Sequence, residues 1–168
     1  HARQVGGSRE NEAVDFQEYL LIPAGLPSFS EALHAGAAVY KTLGEVLEKR
    51  GLRVRNVGGP MSADLKSNRE AMDVLMKAIE DAGYRPGVEC FVGLDAATSE
   101  LYHDGRYVLA SEGRTLDSGE MIELWSRWLG DYPFINLEDG LAEDDWEGWK
   151  EMTARLGNRL QLVGDDHF

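Results

Sequence analysis

Short apolar stretches alternate with amphipathic helical stretches along almost the whole of this chain. That alternation restricts it to an α/β architecture, a parallel sheet with right-handed crossovers. Val14 to Ile22 reads as a strand closed by Pro23 and Gly25. Ser28 and Glu31 have capping-box spacing and open a helix in which Leu33, Ala37, Tyr40, Leu43 and Leu47 keep helical period, with Gly51 as the left-handed stop. A short strand near Leu52 to Val57 leads into Gly58-Gly59-Pro60. Ser67 and Glu70 open a second helix, which carries Ala71, Val74, Leu75, Ala78 and Ile79 on one face and ends at Gly83. Glu89 to Asp95 is apolar nearly until its last residue, as a strand buried on both faces should be. Leu101 to Leu109 reads as a hairpin around Asp104-Gly105, a preferred type I′ pair. Asp117 and Glu120 open a third helix, with Met121, Ile122, Leu124, Trp125, Trp128 and Leu129 inside and Gly130 as its stop. Phe134 to Leu137 is a strand ending at Glu138, a fourth helix spans Trp146 to Leu156 before Gly157, and Leu160 to Val163 leads to Asp165 and Asp166.

Charge and length narrow the function classes. The 168 residues carry 17 Lys+Arg against 30 Asp+Glu, a formal net charge of −13. With no basic stripe in the sequence, such an anion is repelled by a phosphate backbone, so nucleic acid is not an expected partner. The richest apolar run, Tyr19 to Leu26, is broken by Pro23 and Gly25 and falls short of the roughly 20 residues of a membrane span. No secretion signal is read at the N-terminus, and the lone Cys90 suits a reducing compartment, so a cytoplasmic location is expected. One domain of this length buries about 70% of its unfolded surface. A complete eight-stranded β/α barrel takes about 250 residues, so a barrel here is a partial one. The start at His1 rather than Met adds the expectation of a processed or incompletely represented polypeptide.

Three carboxylates carry the chemistry. Asp95, Glu138 and Asp165 each follow an apolar strand, and parallel strands bring all three to one end of the sheet. Glu138 and Asp165 are one strand–helix–strand repeat apart, and the hairpin accounts for the longer interval from Asp95. A single acid at a strand end is ordinarily a helix cap or a solvated loop residue. Three in register without a compensating Lys or Arg call for a cation, and hard oxygen donors suit Mg²⁺. Without the metal, mutual repulsion should raise the proton affinity of at least one of them.

The segments Val14-Asp15-Phe16-Gln17-Glu18-Tyr19, Pro27-Ser28-Phe29-Ser30-Glu31-Ala32-Leu33, Leu65-Lys66-Ser67-Asn68, Leu137-Glu138-Asp139-Gly140-Leu141-Ala142-Glu143-Asp144-Asp145-Trp146 and Gln161-Leu162-Val163-Gly164-Asp165-Asp166 resemble those of enolase, the phosphopyruvate hydratase of glycolysis. The resemblance runs almost end to end and covers the first part of the enolase barrel domain, less than half of a full enolase. It implies an α/β fold, a partial enolase-type TIM barrel in which parallel strands alternate with helices plus one hairpin, with residues 1–168 as the incomplete C-terminal barrel domain. It also implies a lyase activity, the Mg²⁺-dependent reversible dehydration of 2-phosphoglycerate to phosphoenolpyruvate. In that family a lysine removes a proton, Mg²⁺ ions hold the developing enediolate and a glutamate protonates the departing hydroxyl. Carried over, Asp95, Glu138 and Asp165 match the ligands of the tightly held magnesium. Glu18, with Gln17 beside it, matches a carboxylate on the substrate side, and Glu138 and Asp165 border substrate as well. On residues alone, Gln17 and Glu18 are one core-facing and one solvent-facing position of an ordinary strand.

The chain departs from the family at several points. Gly58 falls where the family has its proton-donating glutamate, and Arg9, in Gly6-Gly7-Ser8-Arg9, replaces a histidine of the site. The family's base lysine and a further histidine correspond to positions beyond Phe168. The expectation is a site that holds Mg²⁺ and a phosphorylated acid while turnover is impaired; the alternative is a non-catalytic, enolase-derived scaffold. Open sheet edges favour association, either as a homo-oligomer or with the rest of the barrel. His34 and His103 read as structural or solvated, Trp125, Trp128, Trp146 and Trp149 as packing, and Glu143-Asp144-Asp145 as a helix start.

Overall fold

A computed structural model of the chain describes residues 2–3, 14–56 and 61–165. Its main sheet has five strands in the order β1-β2-β5-β9-β10: β1 (Ala2–Arg3), β2 (Glu18–Ile22), β5 (Phe91–Asp95), β9 (Phe134–Glu138) and β10 (Gln161–Val163). Strands β3 (Val54–Asn56) and β4 (Met61–Ala63) form a separate antiparallel pair. Four helices, α1 (Phe29–Lys49), α2 (Asn68–Asp81), α3 (Ser118–Asp131) and α4 (Trp146–Leu156), complete the α/β architecture. Among the described residues the sheet does not close into a barrel.

The parallel arrangement holds for β5, β9 and β10, whereas β2 runs antiparallel to both β1 and β5. The strand expected from Val14 begins only at Glu18, because Asp15 is drawn into a polar cluster described below. The hairpin forms with β6 (Tyr102–His103) and β7 (Arg106–Leu109), and Asp104 (φ 49°) and Gly105 (φ 81°) take the left-handed pair a type I′ turn needs. It gains a third strand, β8 (Arg114–Leu116), which the sequence did not announce.

The caps follow the sequence closely. Ser28 and Ser67 accept from the backbone N–H groups of Glu31 and Glu70, and Asp117 with Glu120 forms a reciprocal capping box at α3. Asp145, from the acidic run, caps α4 through the Gly148 N–H. Gly51 and Gly83 take positive φ. Two stops differ from expectation: Gly130 lies within α3, which runs on to Asp131, and Gly157 keeps a right-handed conformation.

Helix α1 buries Ala35, Val39, Leu43, Val46 and Leu47. Leu33, expected inside, is 61% exposed, and Ala37 is exposed with it, because the described part of the sheet offers that face no partner layer. Trp125 and Trp128 are buried and Trp149 packs partly against the core, whereas Trp146 at the start of α4 is 64% exposed and corrects its assignment to packing. On the helix side of the sheet, Phe16, Trp125, Trp128, Tyr132 and Phe134 form one aromatic cluster with ring centroids 5.0–6.2 Å apart.

Asn68, wholly buried at the first turn of α2, is a polar hub. Its Oδ1 accepts from the Asp15 N–H (2.7 Å), and its Nδ2 donates to Asp15 (2.7 Å) and Glu112 (3.0 Å). Asp15 also accepts from the backbone N–H of Ser111 (3.0 Å) and from the Ser111 hydroxyl. The cluster thus ties the entry of β2 to α2 and to the turn before β8. Asn68→Leu keeps the volume and strands Asp15 in a partly buried place. It is expected to cost about 3 kcal/mol in urea denaturation, and a loss near zero would show the hub to be dispensable.

Candidate metal and substrate rim

The row of acids comes from strand register. Glu18 opens β2 opposite Asp95, and Asp95 ends β5 opposite Glu138. Val163 of β10 is in register with Glu138, and Asp165 lies two residues further on. Registered neighbours point to the same face, so Glu18, Asp95 and Glu138 form one row across three strands. Because β2 runs the other way, its first residue rather than its last reaches this rim.

Strand β9 needs an irregularity to deliver its acid. Val92 pairs with Phe134 but Gly93 pairs with Asn136, so Ile135 is an extra residue. Before this bulge, Phe134 is buried against Trp128 of α3; after it, Leu137 is buried with Leu94 on the same helix side. Glu138 therefore emerges beside Asp95, where an unbroken period of two would have put it on Phe134's face. Gly93 fits the row below, since a Cβ there would lie 2.9 Å from Ile22 Cδ1 and 3.0 Å from Asn136 Cβ. In that layer the Oδ1 of Asn136 is buried and has no hydrogen-bond donor among the described residues.

Asp95 has its pKa pushed up to about 7, first by burial and then by the charges of Glu138, Asp139 and Glu18. The Ala97 N–H, donating to Asp95 Oδ1 at 3.2 Å, opposes the shift only in part. The rim thus concentrates negative charge around the partly buried Asp95.

In chemical kind this donor set fits a hard divalent cation. In arrangement the side chains are less gathered than the strand register. Among the described residues, no three His, Cys, Asp or Glu side chains form a group that could hold a metal ion. Asp165 stays exposed at the end of the row.

The other expected residues fall as follows. Gln17 precedes Glu18 and faces the opposite side of the strand, where it lines a cavity of about 40 Å³ with Tyr19, Met61, Ser62 and Leu65. The structure therefore separates Gln17 from the carboxylate row. Gly58 and Arg9, the two departures from the enolase pattern, lie outside the described residues, as does Asp166. His34 and His103 are exposed. Asp139 was read only as part of a motif, yet it is 3% exposed with φ 45°, and it touches the loops after β5 and β10. Its left-handed backbone, rare for a residue with a Cβ, has no distinctive signature in sequence.

The segment after Glu138 is anchored from several sides. Trp125 Nε1 donates to the Gly140 carbonyl (2.9 Å), and Trp149 Nε1 donates to the carbonyls of Leu141 and Ala142. The Tyr107 hydroxyl accepts from the Ala142 N–H (3.0 Å) and donates to Asp145 (2.7 Å). Burial keeps Tyr107 protonated well above the usual phenol range. Core aromatics thus double as supports for the loop behind the rim.

Three parallel strands with crossover helices, and a row of acids registered across β2, β5 and β9, define an α/β sheet that stays open among the described residues. The family model described as enolase, C-terminal TIM barrel domain, matches residues 4–168. The chain belongs to that family. Among the described residues, no helix is long and apolar enough to cross a membrane.

Proposed function

We propose that this chain is an enolase-type barrel segment whose rim binds Mg²⁺ and a small phosphorylated acid of the 2-phosphoglycerate and phosphoenolpyruvate kind, with the dehydration reaction itself impaired. The observation that carries the reading is the registered row Glu18–Asp95–Glu138 together with the raised proton affinity of Asp95. Asp95, Glu138 and Asp165 would hold the ion, and Glu18 would border the substrate. Bound there, the ion supplies fixed positive charge against the negative charge that develops on the substrate. Glycine at position 58 has no proton to give, and Arg9 offers a cation where the family has a titratable imidazole. Each missing general acid or base costs about 10²–10⁴ in rate, so this chain is expected to show little turnover. Among the described residues the sheet ends in β1 on one side and β10 on the other, which favours association with another copy or with the remaining barrel strands in a reducing, cytoplasmic setting.

A thermal-melt series in Mg²⁺ tests the metal site. At Mg²⁺ about 100-fold above the dissociation constant, mass action adds about 2.7 kcal/mol, and the triple alanine variant of Asp95, Glu138 and Asp165 should lose that gain. Ordinary production of phosphoenolpyruvate by the purified chain, followed by ultraviolet absorbance, would contradict the impairment. The second reading is a non-catalytic scaffold that keeps these acids by descent. It is favoured by the lack of a gathered three-acid group among the described residues, and an absent Mg²⁺ shift would establish it.

A further inference from the structure

Asp139 makes hydrogen bonds to the loops on both sides of its own strand. Its backbone N–H donates to the Val163 carbonyl at the end of β10 (3.0 Å). Its carbonyl accepts from both the N–H (3.2 Å) and the hydroxyl (2.7 Å) of Thr98, a wholly buried residue three positions after Asp95. Its carboxylate Oδ1 accepts from the N–H of Asp165 (3.0 Å). It also follows Glu138 directly, so one buried residue is bonded into the three chain segments that carry Asp95, Glu138 and Asp165.

The backbone here is held in an uncommon state. Asp139 has φ 45°, as does Ala97, which is 1% exposed in the loop after Asp95. Left-handed conformations at residues bearing a Cβ persist only where the surroundings fix them, and they concentrate at functional sites. Asp139 cannot serve as an ordinary solvated loop acid at 3% exposure, and its carboxylate is engaged by a backbone donor.

We propose that Asp139 is a positioning residue: it sets the mutual placement of the rim acids by clamping the loops after β5 and β10 to the end of β9, with its side-chain oxygen acting as the acceptor for the Asp165 amide. This rests on the reading of the rim as a divalent-cation site. Metal-ligating carboxylates depend on such supports, and loss of a support typically costs about 10- to 100-fold in metal affinity.

Two readouts separate the proposal from that underlying reading. Hydrogen exchange at the Asp165 amide, measured without metal, reports the clamp itself. Mg²⁺ titration monitored by the thermal midpoint reports its consequence. Asp139→Ala should speed exchange at Asp165 by about tenfold or more and weaken Mg²⁺ binding by about 10- to 100-fold. Asp139→Asn keeps an oxygen in the same place and should restore slow exchange and hold Mg²⁺ affinity within about tenfold of wild type. Thr98→Val, which removes only the hydroxyl donor, should weaken Mg²⁺ binding in the same direction, and it carries the test should Asp139→Ala not fold. Unchanged exchange at Asp165 in Asp139→Ala would overturn the proposal. So would an Asn variant as defective as the alanine, or a Thr98→Val variant with wild-type Mg²⁺ binding. If the wild-type chain itself shows no Mg²⁺ shift, the metal reading and the positioning role both fail, whereas wild-type Mg²⁺ binding that survives Asp139→Ala sinks the positioning role alone.

Discussion

Trp128→Ala is expected to be among the most damaging single changes in this chain, costing about 4 kcal/mol of stability. Trp128 is 1% exposed and its ring meets Phe16, Trp125, Tyr132 and Phe134 at centroid distances of 5.6–6.2 Å. Those partners come from the approach to β2, from α3 and its end, and from β9, so one side chain joins all three. Truncation removes the transfer energy of a large ring and leaves a cavity that four rigid aromatic neighbours cannot collapse to fill. In a domain of this size the loss corresponds to a fall in melting temperature of roughly 8–16 °C. Trp146→Ala is the internal control. That ring is 64% exposed, and its removal should change stability by only about 0.5 kcal/mol. Equal effects of the two substitutions in a thermal or urea melt would refute the assignment of the aromatic core.

The second large effect concerns pH. The Asp95 carboxyl has a folded pKa of about 7, above its ordinary value, so the folded chain binds this proton more tightly than the unfolded chain does. The stability linked to protonation is therefore fully present below about pH 4, the carboxylate range of the unfolded chain, and is lost as pH rises through 7. Asp95→Asn removes the ionisation while keeping the shape. Without metal it should be more stable than wild type at pH 8, by about 2 kcal/mol once solvent screening of a partly exposed group is allowed for, and the advantage should vanish near pH 4. Urea denaturation of both proteins across that range checks the sign. A constant difference between them would mean that Asp95 does not carry the shift.

Much of this molecule can be read from the chain because its signals are local. Ser28, Ser67 and Asp117 cap helices where their spacing to Glu31, Glu70 and Glu120 says they should, and Asp104-Gly105 makes its turn. The acids at the ends of β5 and β9 are likewise marked by the apolar runs before them. What escapes is set at long range. The reversed direction of β2 follows from its pairing with β5 rather than from its residues, and it is this reversal that puts Glu18 opposite Asp95. Leu33 keeps a helical period yet is exposed, since period records only that a face is apolar and not that something covers it. Asp139 combines burial, a left-handed backbone and three loop contacts, none of which its residue type announces.

The extra residue Ile135 gives β9 two phases within five positions. Its first half attaches the strand to α3 through Phe134, and its second half displays an acid, so anchoring and chemistry do not compete for the same alternate positions. The distance in sequence between Phe134 and Glu138 is consequently as constrained as the residues themselves. Shortening the strand by one residue would exchange the roles of Leu137 and Glu138, presenting hydrocarbon at the opening and a charge to the tryptophans. Side chains on this strand can vary within their phase, but its length cannot.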